Sequence, residues 1–152
     1  MMTAAERQAR ASWVWVVRLI LALVVGGIFV AAGVLKVRDP LRFASDVGNY
    51  ALISWPLGVR VAFYLPWLEI ICGLALIFQR FLAGAIVVTF AMTVVFIGVT
   101  IWARAHGIDV SCGCFGTISS NLTLTWHFVL NGGILAALLA LWLLRKSPAA
   151  QD

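Results

Sequence analysis

The sequence predicts an all-α integral membrane protein, a four-transmembrane-helix bundle with a short amphipathic interfacial helix after helix one. Composition is the first reason: 63% of the 152 residues are hydrophobic, against about half in soluble domains, and the mean hydropathy is +1.04. Run length is the second. Leu19 to Leu35, Val61 to Phe78, Phe81 to Ala103 and Leu122 to Leu144, the shorter two with flanking residues, are each able to cross a bilayer core of about 30 Å as a helix. No period-two alternation competes with them.

In chain order, the polar stretch to Ala11 is expected to fray, giving a cytoplasmic tail over 1–12, a membrane domain over 13–144 and a second cytoplasmic tail over 145–152. Arg7, Arg10 and Arg18 make a basic front of the kind signal peptides carry. Lys36-Val37-Arg38 follows the apolar run in place of a small-residue cleavage site, so the run reads as a retained helix from about Trp13 to Lys36. Trp13 and Trp15 suit the interface, Arg18 can snorkel to headgroups, and Gly26, Gly27, Ala31 and Gly33 leave room for a neighbouring backbone. Asp39-Pro40 is a helix start, an N-cap side chain before a first-turn proline. The segment to about Ala51 sets Phe43, Val47 and Tyr50 on one side, as an amphipathic surface helix does, and such a helix could lid a site.

Helix two carries Pro66, Glu69 and Cys72. A mid-span carboxyl costs about 2.5 kcal/mol or more to insert and usually faces the bundle interior with a partner. Cys72 lies deeper and reads as a packing residue. Helix three offers Thr89, Thr93 and Thr100, which can bond to their own backbone, and Trp102 at the outer interface. Helix four begins near Asn121 or Thr123, and its Gly132, Ala136 and Ala140 form a small-residue stripe suited to packing.

The net charge of +5 is spread over the ends of apolar runs, which is a membrane-flanking pattern and makes nucleic acid an improbable partner. An even number of spans puts both termini on one side. Placing them in the cytoplasm leaves Arg7, Arg10, Arg18, Arg80, Arg145 and Lys146 inside against Lys36, Arg38, Arg42, Arg60 and Arg104 outside, six to five. That orientation, N-in and C-in across an inner or cytoplasmic membrane, puts Cys112 and Cys114 on the outer face, where disulfides persist.

Those cysteines sit in Ser111-Cys112-Gly113-Cys114-Phe115-Gly116, a polar loop between the last two spans. Gly113 can take the strained φ that a disulfide at this spacing needs. So small a ring stabilises a fold by only roughly 1.5 kcal/mol before strain is subtracted, whereas a strained, exposed disulfide exchanges readily. Redox exchange is therefore favoured over two alternatives, a soft-metal site and a pair of idle thiols. In the metal alternative, Cys112, Cys114, His106 and His127 would supply N and S ligands to Cu(I) or Zn(II). The redox alternative expects no metal. Cys72, roughly 20 Å below the outer surface by helical rise, is too far to join the pair.

His127 and Asn131 are four residues apart and share a face of helix four. His127 is little more than a turn below the cysteine loop, and Asn131 is about as deep as Glu69. A polar ladder from the thiols through His127 and Asn131 to Glu69 is inferred, in which His127 takes a thiol proton or bonds a quinone carbonyl near Trp126. Alternatively, these residues only cross-link helices, at about 0.6 kcal/mol each.

The chain resembles the MauE branch of the DoxX-like redox-associated membrane proteins. The likeness spans roughly Arg18 to Leu144. It rests on Gly33-x-x-Lys36, on Asp39 and Phe43, on Pro66-x-x-Glu69-x-x-x-Gly73 and above all on Cys112-Gly113-Cys114-Phe115-Gly116. The resemblance implies extracytoplasmic thiol redox work, such as supporting disulfide formation, beside a thioredoxin-like or other thiol partner. A looser similarity to the quinone-linked oxidases DsbB and vitamin K epoxide reductase implies electron transfer from Cys112 and Cys114 to a membrane quinone. Those enzymes carry Cys-x-x-Cys and a second shuttle pair, which this chain lacks. The other thiol pair must then come from an external protein. A structural membrane subunit without catalysis is the remaining alternative.

Overall fold

The computed structural model describes residues 4–49, 52–107 and 124–145. They form α1 (Ala4–Arg38), α2 (Pro40–Asn49), α3 (Trp55–Ile77), α4 (Leu82–Ala105) and α5 (Leu124–Arg145), with no strand among the described residues. All of these except α2 are long and apolar enough to cross a membrane, which makes this a multi-pass membrane protein. The outer surface agrees: Tyr64, Phe81 and Leu143 are among the large side chains that point away from the bundle, as a lipid solvent permits.

The expected frayed tail is corrected, because α1 is helical from Ala4. Ala4, Ala5, Glu6, Arg7, Gln8 and Ala9 are nearly all strong helix formers, and they extend a helix that the apolar run already nucleates.

α1 and α3 make the most extensive helix contact of the bundle. They run antiparallel: Gly26 lies against Gly73, and seven residues on Gly33 lies against Pro66. A Cβ at Gly26 would come within 2.6 Å of the Gly73 carbonyl oxygen, and one at Gly33 within 2.6 Å of the Pro66 carbonyl oxygen. Both glycines are needed for two backbones to touch. Gly27 and Ala31, expected to do the same, are exposed, and a Cβ on Gly27 would meet nothing within 4 Å. At the far end Arg18 Nη2 donates to Gln79 Oε1 at 2.6 Å. Arg18 therefore clamps the α3–α4 turn, where Gln79 and Phe81 both hold φ of 52°, an unusual left-handed conformation for residues of their size.

Asp39 caps α2 as its sequence foretells, its Oδ1 accepting the Arg42 backbone N–H at 3.1 Å. The helix buries Phe43 and Ala44 against Ala62 of α3, with Val47 beside them, while Leu41, Arg42 and Ser45 face outward. Tyr50 and Ala51 lie outside the described residues. In α4 the hydroxyls of Thr89, Thr93 and Thr100 donate to the carbonyls four residues earlier, at 2.6, 2.8 and 2.9 Å, which satisfies them without a neighbouring helix.

α5 packs through Ile134, Leu138 and Leu141 on a core shared with Ala22, Val25 and Leu76. The Gly132, Ala136, Ala140 stripe is not that face: Gly132 and Ala136 are exposed, and a Cβ on Gly132 would meet nothing within 4 Å. The larger side chains fill the groove between α1 and α4 better, so the small residues turn outward.

Gly33→Ala is expected to lower stability by about 1–3 kcal/mol through overpacking against the Pro66 carbonyl. Gly27→Ala is expected to be neutral or slightly stabilising. Thermal unfolding in one detergent compares the two.

Candidate functional site

The helical repeat puts Lys36 one turn beyond Gly33 and on the same face, and it places Glu69 one turn beyond Pro66. In antiparallel helices these two turns lie on opposite sides of the Gly33–Pro66 contact, and because helix side chains lean toward their own N-terminus, Lys36 and Glu69 reach back toward that contact and meet. Lys36 Nζ and Glu69 Oε1 are 2.5 Å apart, with side chains only 3% and 8% exposed. Two lone charges here would each be costly, and the pair offsets that cost. The ammonium also lies 5.1 Å from the Phe43 ring centroid and 5.9 Å from that of Phe96, within reach of a cation–π attraction. Phe43 brings α2 over the pair, so that helix covers it from one side.

Lys36 was the residue that sequence reasoning missed. Its place after an apolar run reads as a membrane-flanking charge, yet α3 continues for several turns past the level of the pair, and α2 packs on those turns. With Lys36 taken out of the outer set, the charge balance across the membrane becomes six against four. The missed signal is the pair Gly33-x-x-Lys36 and Pro66-x-x-Glu69: a buried carboxyl needs a partner, and side chains one turn past a close antiparallel contact both lean back toward it.

Two chambers meet at Glu69. The smaller, about 60 Å³, has mostly apolar walls into which Lys36, Glu69, Thr93 and Asn131 bring polar groups, and it is large enough for water. The larger, about 590 Å³, lies between α2, α3 and α4, with aliphatic walls and with Asp46 and Glu69 as its acidic lining. Met92 and Phe96 line both chambers. Asp46, half-buried on α2, has its carboxyl pushed above the ordinary aspartate range by burial, an effect that Arg42 opposes and Asp39 reinforces.

Of the residues read from sequence, Glu69 and Asn131 come together on the smaller chamber. His106 ends α4 stacked on Trp102 with ring centroids 4.1 Å apart. Its Nδ1 lies 2.9 Å from the Trp102 carbonyl oxygen, and donation there leaves Nε2 as the acceptor. Trp126 and His127 belong to the first turn of α5, but their side chains lie outside the described residues, as do Cys112 and Cys114 altogether. Among the described residues no three His, Cys, Asp or Glu side chains group as metal ligands do. Cys72 is a buried free thiol.

A family model for methylamine utilisation protein MauE matches residues 13–144. The chain belongs to the MauE family. No curated protein and no solved structure is matched. The match runs from Trp13 to Leu144 and so includes Lys36, Glu69, Cys112 and Cys114 of this MauE-family chain.

Lys36→Met or Glu69→Leu alone is expected to cost about 3–5 kcal/mol by leaving one buried charge without its partner, while the double substitution recovers most of that loss. A double-mutant cycle on thermal or denaturant unfolding measures it.

Proposed function

We propose that this MauE-family protein is a thiol–disulfide redox protein of the inner or cytoplasmic membrane, exchanging electrons between an extracytoplasmic thiol protein and a membrane quinone. The observation that carries the proposal is the Cys112-Gly113-Cys114 pair in the segment joining two membrane-crossing helices. Both termini are cytoplasmic and the pair faces outward, an orientation that the charge balance favours once Lys36 is counted as buried.

In the proposed cycle, a thiolate of a thioredoxin-like or similar partner attacks one sulfur of the Cys112–Cys114 disulfide. The partner's second thiolate resolves the mixed disulfide, which leaves the partner oxidised and Cys112 and Cys114 as thiols. Reoxidation transfers two electrons and two protons from the thiols to a quinone, which re-forms the disulfide and yields a quinol. His127 receives a thiol proton, Trp126 and Asn131 continue the proton path, and Glu69 contributes both to that path and to the quinone side. The approach of Asn131 and Glu69 to one small chamber supports the inner end of that path.

The family's name links it to methylamine utilisation. Methylamine itself, a small cation at neutral pH, would meet mostly apolar walls, with Glu69 already facing Lys36 and Asp46 the one other carboxyl of the cavity. Service to a protein partner is the better fit.

With the protein in lipid nanodiscs, reduced thioredoxin as donor and a short-chain benzoquinone as acceptor, quinone reduction is expected to depend on the protein. Cys112→Ser and Cys114→Ser should each abolish it. Undiminished turnover in the double serine variant would refute the thiol mechanism and favour a structural subunit.

A further inference from the structure

We infer that the cavity beneath α2 is the binding site for the head of a membrane quinol, which enters sideways from the bilayer and hydrogen-bonds at its inner end to Glu69. The inference rests on the quinone-linked reading above and gives that ligand a place.

Three observations lead to it. The cavity's volume of about 590 Å³ falls within the roughly 300–1,000 Å³ of small-molecule sites. Its α4 wall includes Val87, Ala91 and Val95, one helical stripe whose members are also exposed on the outside of the bundle, Val87 by 54% and Val95 by 65%. The opening thus faces the lipid side, and an apolar ligand need not pass through water. The third observation concerns the inner end. Glu69 is only 6% exposed; its Oε1 meets Lys36, and its Oε2 is buried with no hydrogen-bond partner among the described residues, so a ligand reaches it as the carboxyl turns toward the larger chamber that Glu69 lines.

A buried oxygen of this kind is costly unless it receives a hydrogen bond. A carboxylate only accepts, so the ligand must donate. An acyl chain satisfies the walls but leaves Oε2 unmet, and a quinone offers acceptors alone. A quinol has the apolar ring and the hydroxyl donor together. Tighter binding of quinol than of quinone makes the bound quinone easier to reduce, since differential affinity shifts the equilibrium between the two forms. The same preference therefore helps the site draw electrons from thiols.

The test is binding of a short-chain benzoquinone and of its quinol to the protein in nanodiscs of saturated phosphatidylcholine. Wild type should bind the quinol about tenfold more tightly than the quinone, the scale of one hydrogen bond to a charged acceptor. Ala91→Trp, which fills the opening without touching the ion pair, should lose both ligands while keeping its thermal midpoint. Glu69→Gln combined with Lys36→Met should retain the quinone and lose the preference for quinol. The Cys112→Ser, Cys114→Ser double variant should bind as wild type does. Normal binding by Ala91→Trp would overturn the site, and so would no binding of either form to wild type, which would mean that the cavity takes lipid chains only. If Ala91→Trp still reduces quinone with reduced thioredoxin, the site is wrong and the thiol mechanism stands. If the cavity binds as expected but the serine variant turns over normally, the site stands and the thiol mechanism fails.

Discussion

The contact between Lys36 and Glu69 is the constraint on which the rest of the bundle depends. A charged group within apolar spans must find an opposite charge at short range. Here that contact fixes the register of α1 against α3, with Gly26 on Gly73 and Gly33 on Pro66 bringing the backbones close enough for the side chains to meet. The consequences spread outward from it. Phe43 settles over the ammonium, which draws α2 down onto α3, and the space left between α2, α3 and α4 becomes the larger chamber. One pair thus orders two spans, one covering helix and a cavity.

The same pair divides the interior into two chemical environments. On the side of Thr93 and Asn131 lies a small space large enough for water, with four polar side chains on its walls; on the side of Val88 and Val99 lies a larger space suited to an apolar molecule. The proposed transfer of electrons together with protons would benefit from having both beside one carboxylate. The dithiol chemistry proposed for Cys112 and Cys114 needs a two-electron acceptor that the chain's third cysteine cannot provide, because Cys72 is buried and free in α3.

Much of this fold was legible because membrane solvent leaves few options. Long apolar runs can only be helices or barrel strands, and their uninterrupted length selects helices. Asp39-Pro40 announced α2, and the α4 threonines satisfy themselves as their positions suggested. What stayed hidden depends on tertiary contact. Lys36 looks like a boundary charge until the partner helix is known to continue past it. Gly132, Ala136 and Ala140 look like a packing stripe until Ile134 and Leu138 take the groove. Glu69 was recognised from its cost in an apolar run and Asn131 from the helix face it shares with His127, and equal depth along two helices sufficed to bring them to one chamber. The motif with the clearest chemistry, Cys112-Gly113-Cys114, lies outside the described residues and stands on its sequence.

The most direct measurement is the redox state of Cys112 and Cys114 in native membranes, by rapid acid quench and thiol-specific mass tagging, with the quinone pool either oxidised or held reduced. A quinone-coupled pair is largely disulfide when the pool is oxidised and becomes dithiol when it is reduced. Two thiols that stay reduced in both conditions would contradict the redox function and turn attention to metal content.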